Sequence, residues 1–182
     1  MKKVVLVVLL VVSSLSYVNA QDVTYGVKVG ANFSNFNGDS MDTDMITRMH
    51  AAVTGDIALS DSFSLQPELM YSAEGVKAKT GGFENKLNYL RIPLMLKYYV
   101  SSGFSIDAGP QVGFLVSAED QDGTDIKDGM ESIDFGFNIG STYLLDSGVN
   151  ISVRYNIGIT DVVDGSDAKN GVFQLSLGYV FQ

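Results

Sequence analysis

From Thr24 to the C-terminus, apolar and polar residues alternate with a period of two. Across residues 25–33, Tyr, Val, Val, Ala and Phe fall on one side and Gly, Lys, Gly and Asn on the other. Successive side chains of an extended chain point to opposite faces, so this spacing predicts a strand with one apolar and one polar face. The pattern returns over residues 51–60, 63–73, 88–100, 104–116, 133–144, 149–160 and 172–181. Helical periodicity is absent. Eight strands are expected, joined alternately by short turns (61–62, 101–103, 145–148) and long links (35–49, 75–87, 117–132, 161–171). Strict alternation of link length places all long loops at one end, as in membrane barrels with short periplasmic turns and long extracellular loops. An even strand number then returns both termini to the periplasmic side.

Alternation alone leaves the apolar face pointing either into a core or out to lipid. A secreted lipocalin-like binder would have it inside, a transmembrane barrel outside. Strands of roughly 10–12 residues suit a tilted crossing of the bilayer. Aromatics such as Tyr25, Phe63, Tyr98, Phe104, Tyr143, Tyr155 and Tyr179 fall near strand ends, where interface girdles lie. The polar face is rich in glycine: Gly26, Gly30, Gly109, Gly113, Gly136, Gly140, Gly158 and Gly178. An eight-stranded lumen is just wide enough for its own side chains, so small residues must relieve large ones. These observations favour an all-β, eight-stranded antiparallel up-and-down transmembrane β-barrel.

On that reading the lumen holds Lys28, Asp56, Glu68, Glu74, Arg91, Lys97, Asp107, Asp134 and Arg154. Charges in a narrow interior must be paired, so they are expected to form an ion-pair network that fills the barrel. A narrow pore or secretion accessory is the alternative. Pro67, Pro93 and Pro110 lie inside expected strands, where each removes a ladder donor; bulges are expected there.

Composition narrows the function classes. Lys2 and Lys3, the apolar run Val4–Val12 and the small residues before Ala20 have the order of a secretory signal, giving residues 1–20 as a cleaved leader and 21–182 as the barrel domain. The absence of Cys excludes a lipid-anchored form, disulfides and thiolate metal sites. Without the leader lysines, 10 basic residues stand against 21 acidic, a formal charge of −11. That balance argues against nucleic acid, which needs clustered Lys and Arg.

The stretches Gly26-Val27-Lys28-Val29-Gly30-Ala31-Asn32-Phe33-Ser34, Ser64-Leu65-Gln66-Pro67-Glu68-Leu69-Met70-Tyr71-Ser72, Tyr89-Leu90-Arg91-Ile92-Pro93-Leu94-Met95-Leu96-Lys97-Tyr98-Tyr99 and Asp107-Ala108-Gly109-Pro110 resemble the PorT-like outer-membrane β-barrel domain common in Bacteroidetes, Gram-negative bacteria. The resemblance covers essentially the whole mature chain and includes the in-strand prolines. It implies an eight-stranded barrel in the cell outer membrane; the family's namesake is linked to protein secretion. The C-terminal Gly178-Tyr179-Val180-Phe181 resembles the aromatic signal read by the barrel-assembly machinery, although Gln182 follows the Phe.

Chemistry is sparse. His50, the single histidine, is placed by its sequence position at the outer end of the second strand, without an evident nucleophile and orienting carboxylate. No enzyme is therefore expected, and a lipid-modifying activity through His50 is disfavoured. The long links carry 13 of the 21 acids against Arg48, Lys77, Lys79, Lys86, Lys127 and Lys169. Within Glu119–Asp125, the residues Asp120, Asp122 and Asp125 have a spacing that could gather oxygen ligands for Ca²⁺, but the frame and closing Glu of an EF-hand are missing. No resident cofactor is expected beyond a divalent cation at these loops. Expected partners are membrane lipid, lipopolysaccharide and the assembly machinery, with the barrel a monomer of structural or surface-interaction role.

Overall fold

The computed structural model describes residues 23–37, 43–78, 84–163 and 168–181. The expected leader lies outside them. The elements are β1 (Val23–Asn37), β2 (Thr43–Asp44), β3 (Ile46–Ser60), β4 (Phe63–Ala78), β5 (Glu84–Ser101), β6 (Phe104–Glu119), a single 3-10 turn at Lys127–Gly129, β7 (Ile133–Leu144), β8 (Val149–Asp161) and β9 (Lys169–Phe181). Each barrel strand pairs antiparallel with its neighbour around the ring β4–β3–β1–β9–β8–β7–β6–β5, and β4 pairs with β5 to close it. The first and last strands join in continuous register from Tyr25↔Phe181 to Asn37↔Lys169. The result is a closed eight-stranded barrel with the two-residue β2 seated on the far end of β4 (Thr43↔Ala78, Asp44↔Lys77). Closure leaves no free edge, which is what a lipid environment demands of a sheet.

The faces divide as the alternation requires. Leu94 is 42% exposed, Phe135 50% and Leu177 55%, while Asn32, Glu74, Arg91 and Asn138 on the opposite parity are buried. A soluble lipocalin-like barrel would reverse this assignment, so that alternative falls. At the turn end the outer face carries aromatic pairs: Phe63 with Tyr98 at 5.0 Å between ring centroids, and Tyr179 with Phe181 at 5.6 Å. Tyr155 departs from this girdle. It sits mid-strand, paired with Ile139 and Phe173.

Two glycines show how the lumen accommodates its large residues. A Cβ at Gly30 would lie 2.6 Å from the His50 ring and 2.1 Å from the Leu175 carbonyl oxygen; one at Gly113 would lie 2.7 Å from the Arg91 guanidinium. The prolines behave differently from expectation. Register is constant across Pro67↔Leu94, Pro93↔Gln111 and Pro110↔Phe137, and the register shifts of the sheet lie elsewhere. Instead of bulging, the β4–β5 and β5–β6 ladders simply lack pairs beside Pro67, Pro93 and Pro110, where a missing N–H cannot donate.

The strands run longer than the apolar pattern. The expected link 35–49 is mostly β1, β2 and β3, and the expected link 75–87 is largely β4 and β5, apart from residues 79–83, which lie outside the described ones. Apolar alternation ends where the apolar band ends. Ladder pairing continues beyond it through Asn, Lys, Glu and Thr.

Candidate functional site

All nine charged residues assigned to the lumen face inward, and eight of them form ion pairs. In the turn half, Glu68 on β4 is the hub. Its carboxylate accepts from Lys28 Nζ at 2.7 Å, from Arg154 Nη2 at 2.8 Å and Nη1 at 3.0 Å, and from Gln66 Nε2 at 2.7 Å. Arg154 comes from β8, four strands round the ring from β4, so this contact crosses the full diameter of the barrel. Nearer the turns, Lys97 Nζ meets Asp56 at 3.3 Å and Gln66 Oε1 at 3.0 Å. Asp107 pairs with no cation and instead accepts hydroxyl bonds from Ser105 and Thr142, both at 2.5 Å.

In the loop half, Arg91 on β5 is the hub. Its Nε and Nη2 grip the two oxygens of Glu74 at 2.7 Å each, and Nη1 donates to Asp134 at 2.5 Å. Ser72 donates to Glu74 at 2.8 Å, Thr160 donates to Asp134 at 3.2 Å, and the Arg91 guanidinium lies 4.3 Å from the centroid of the Tyr89 ring. Two-pronged arginine–carboxylate pairing of this kind is both strong and geometrically exacting. Ions this deeply buried are tolerable only when paired and hydrogen-bonded, and Arg91, Glu74 and Asp134 hold one another in this way.

Between the two hubs lies a layer that periodicity did not single out. Asn32 Nδ2 donates to Ser72 Oγ at 2.9 Å and to the Ala73 carbonyl at 2.7 Å, so its Oδ1 is the acceptor for His50 Nδ1 at 2.7 Å and Gln174 Nε2 at 2.9 Å. His50 Nδ1 therefore carries the proton, and Nε2 accepts from the Ser176 hydroxyl at 2.8 Å. This corrects the placement of His50. It stands opposite Gly30 inside the lumen, 2% exposed, not at an outer strand end. The order Ser176–His50–Asn32 matches a nucleophile, base and orienting amide, yet all three side chains are buried among the lumen's own residues. It reads as a hydrogen-bonded core layer.

Above the Arg91 hub, Phe36, Val76, Leu87, Tyr89, Leu115, Ala118, Val162 and Ala168 form a buried apolar cluster, with Ile126 and Met130 packed on it. Tyr89 also ties across the barrel, its hydroxyl accepting from Asn170 on β9 at 3.3 Å. This cap was missed because it breaks the rule of a polar lumen. The signal was present: Leu87 and Tyr89 share the parity of Arg91.

Asp120, Asp122 and Asp125 are not gathered around a common point. Asp120 Oδ1 accepts from the backbone N–H groups of Asp122 and Thr124, both at 2.9 Å, and Asp125 accepts from Lys127 N at 2.9 Å. Among the described residues, no group of three or more acids or histidines is placed to share a metal ion. Arg48, counted among the loop bases, belongs to β3, where its Nη1 donates to the Glu74 carbonyl at 3.0 Å.

The profile of the outer membrane protein β-barrel domain family matches residues 19–164. The chain belongs to this family. It is thus an outer-membrane β-barrel, and its architecture is similar to solved barrels of low sequence identity. Ail, the attachment invasion locus protein of Yersinia pestis, is 14% identical with a TM-score of 0.57, over 87% of this chain and 98% of that one. A second Ail structure, in complex with the heparin analogue sucrose octasulfate, gives 14% and 0.56, over 88% and 99%. Neisserial surface protein A is 12% identical with a TM-score of 0.61, over 88% and 99%. No curated protein matches the sequence.

Proposed function

We propose that this barrel is a closed, non-conducting element of the outer membrane that displays its long loops at the cell surface, with turns and termini on the periplasmic side. The observation that carries this reading is the Glu68–Arg154 bridge across the barrel diameter, sealed further by the Arg91 hub and the apolar cap. A hydrated permeation path needs a continuous polar lumen, and the cap interrupts it. The short turns at one end and the longer connections at the other support the orientation.

The role is one of structure or surface interaction. Ail is described with a sulfated heparin analogue; the loops here are acidic, which favours cationic partners, or divalent ions bridging to anionic lipopolysaccharide, over a polyanion. The enclosure of Ser176 and His50 supports a non-enzymatic role. The PorT-like motifs around Pro67, Pro93 and Pro110 support the finer family reading and an origin in Bacteroidetes. The test is conductance in planar bilayers, using protein whose folding is verified by a heat-modifiable gel shift. The reading expects a silent membrane; steady, reproducible conductance steps would establish the narrow pore instead.

A further inference from the structure

Beneath the Glu68 hub, at the turn end of the lumen, lies a cavity walled by Lys28, Lys97, Arg154, Thr54, Gln66 and Thr142, with Asn150 and Ser152 completing its polar lining. Three cations line it and no carboxylate does. The matching acids are not part of the lining. Glu68 is held by Lys28 and Arg154, Asp56 is reached by Lys97 near the rim, and Asp107 is occupied by two hydroxyls. The local charge is balanced, but the cations and not their acid partners are on the lining.

We propose that this vestibule binds a small oxyanion entering from the turn end. Donor chemistry supports it. Arg154 spends one N–H of each terminal nitrogen on Glu68, and a guanidinium has five donors; Lys97 spends two of three on Asp56 and Gln66. Residues bearing guanidinium, ammonium, hydroxyl and amide groups around one space form a donor set suited to phosphate or carboxylate oxygens. Two of the lining side chains owe their placement to glycine: a Cβ at Gly26 would come 2.8 Å from Thr54 Oγ1, and one at Gly178 would come 2.7 Å from Asn150 Oδ1. Lys28, Lys97 and Arg154 are each under 8% exposed. Desolvated cations attract an anion more strongly than surface lysines do.

The test uses the folded barrel in detergent micelles and inorganic phosphate as probe, followed by backbone-amide NMR. Saturable shifts are expected at Thr54, Thr142, Asn150 and Ser152. Lys97→Met should weaken binding roughly tenfold or more, the loss of one charge-assisted bond. Ser152→Leu, which keeps all three cations and fills the space, should remove the saturable response; the heat-modifiable gel shift checks that both variants fold. A parallel titration with glycerol 3-phosphate separates sources. Tighter binding of it points to a lipid headgroup, tighter binding of inorganic phosphate to a free anion, and either supports the site. Linear, unsaturable drift, or unchanged affinity in both variants, would overturn it as an adventitious ion only. That result leaves the conductance test untouched.

Discussion

Arg91→Met probes the loop-half hub. The arginine satisfies two carboxylates at once, Glu74 through two bonds of 2.7 Å and Asp134 through one of 2.5 Å, all essentially buried. Methionine retains much of the stem's packing but leaves two acids facing one another without a cation. Removing one partner of a buried pair costs about 3–5 kcal/mol, because the remaining charge is uncompensated. The loss should be partly reversible by a second change. Arg91→Met with Glu74→Gln leaves only Asp134 unpaired, and should recover at least about 1 kcal/mol of the single-variant loss. The assay is guanidinium-induced unfolding of the barrel in liposomes, read by the fraction with folded mobility on unboiled gels. A loss below about 1 kcal/mol for Arg91→Met, the level of a solvated ion pair, would refute a packed network and mean a water-filled lumen.

Other substitutions separate the two faces and the layers between the hubs. Leu94→Lys puts a cation on the lipid face and should destabilise the membrane-inserted barrel by roughly 2–4 kcal/mol in the same unfolding assay. Gly30→Ala should impair folding severely, since its Cβ would meet a backbone carbonyl at 2.1 Å, whereas Gly55→Ala, with nothing within 4 Å, should be near neutral; equal effects would mean that the lumen is loosely packed. His50→Ala leaves Ser176 and the Asn32 carbonyl short of a partner and should cost about 1–3 kcal/mol. The same variant should leave lipid A composition unchanged by mass spectrometry, and any altered acylation would revive an enzymatic role.

The sequence carried the fold because period two survives wherever lipid and lumen compete for alternate residues. Val53, Leu94 and Ile151 could be placed outside, and Glu68, Arg91 and Arg154 inside, from parity alone. Pairing across the barrel was not legible. Nothing local says that Arg154 reaches Glu68, since their strands meet only through closure. The position of His50 was hidden for a related reason: Thr47, Arg48, Met49 and His50 lack apolar alternation, so the pattern starts the strand at Ala51, whereas pairing with β1 extends it to Ile46. The cap of Leu87, Tyr89 and Leu115 reversed the polarity expected of inward positions. The unbulged prolines show that a strand can forgo ladder bonds without changing register.

The inside–outside assignment of the strands underlies every step from ion pairs to closed lumen. The chain has no tryptophan, so a single one can report its surroundings. Leu94→Trp and Tyr89→Trp, reconstituted separately in bilayers with brominated acyl chains, compare an outward and a lumenal position on the same strand. Strong quenching at position 94 and little at position 89 is the predicted result. Equal quenching, or quenching confined to position 89, would contradict the barrel as described.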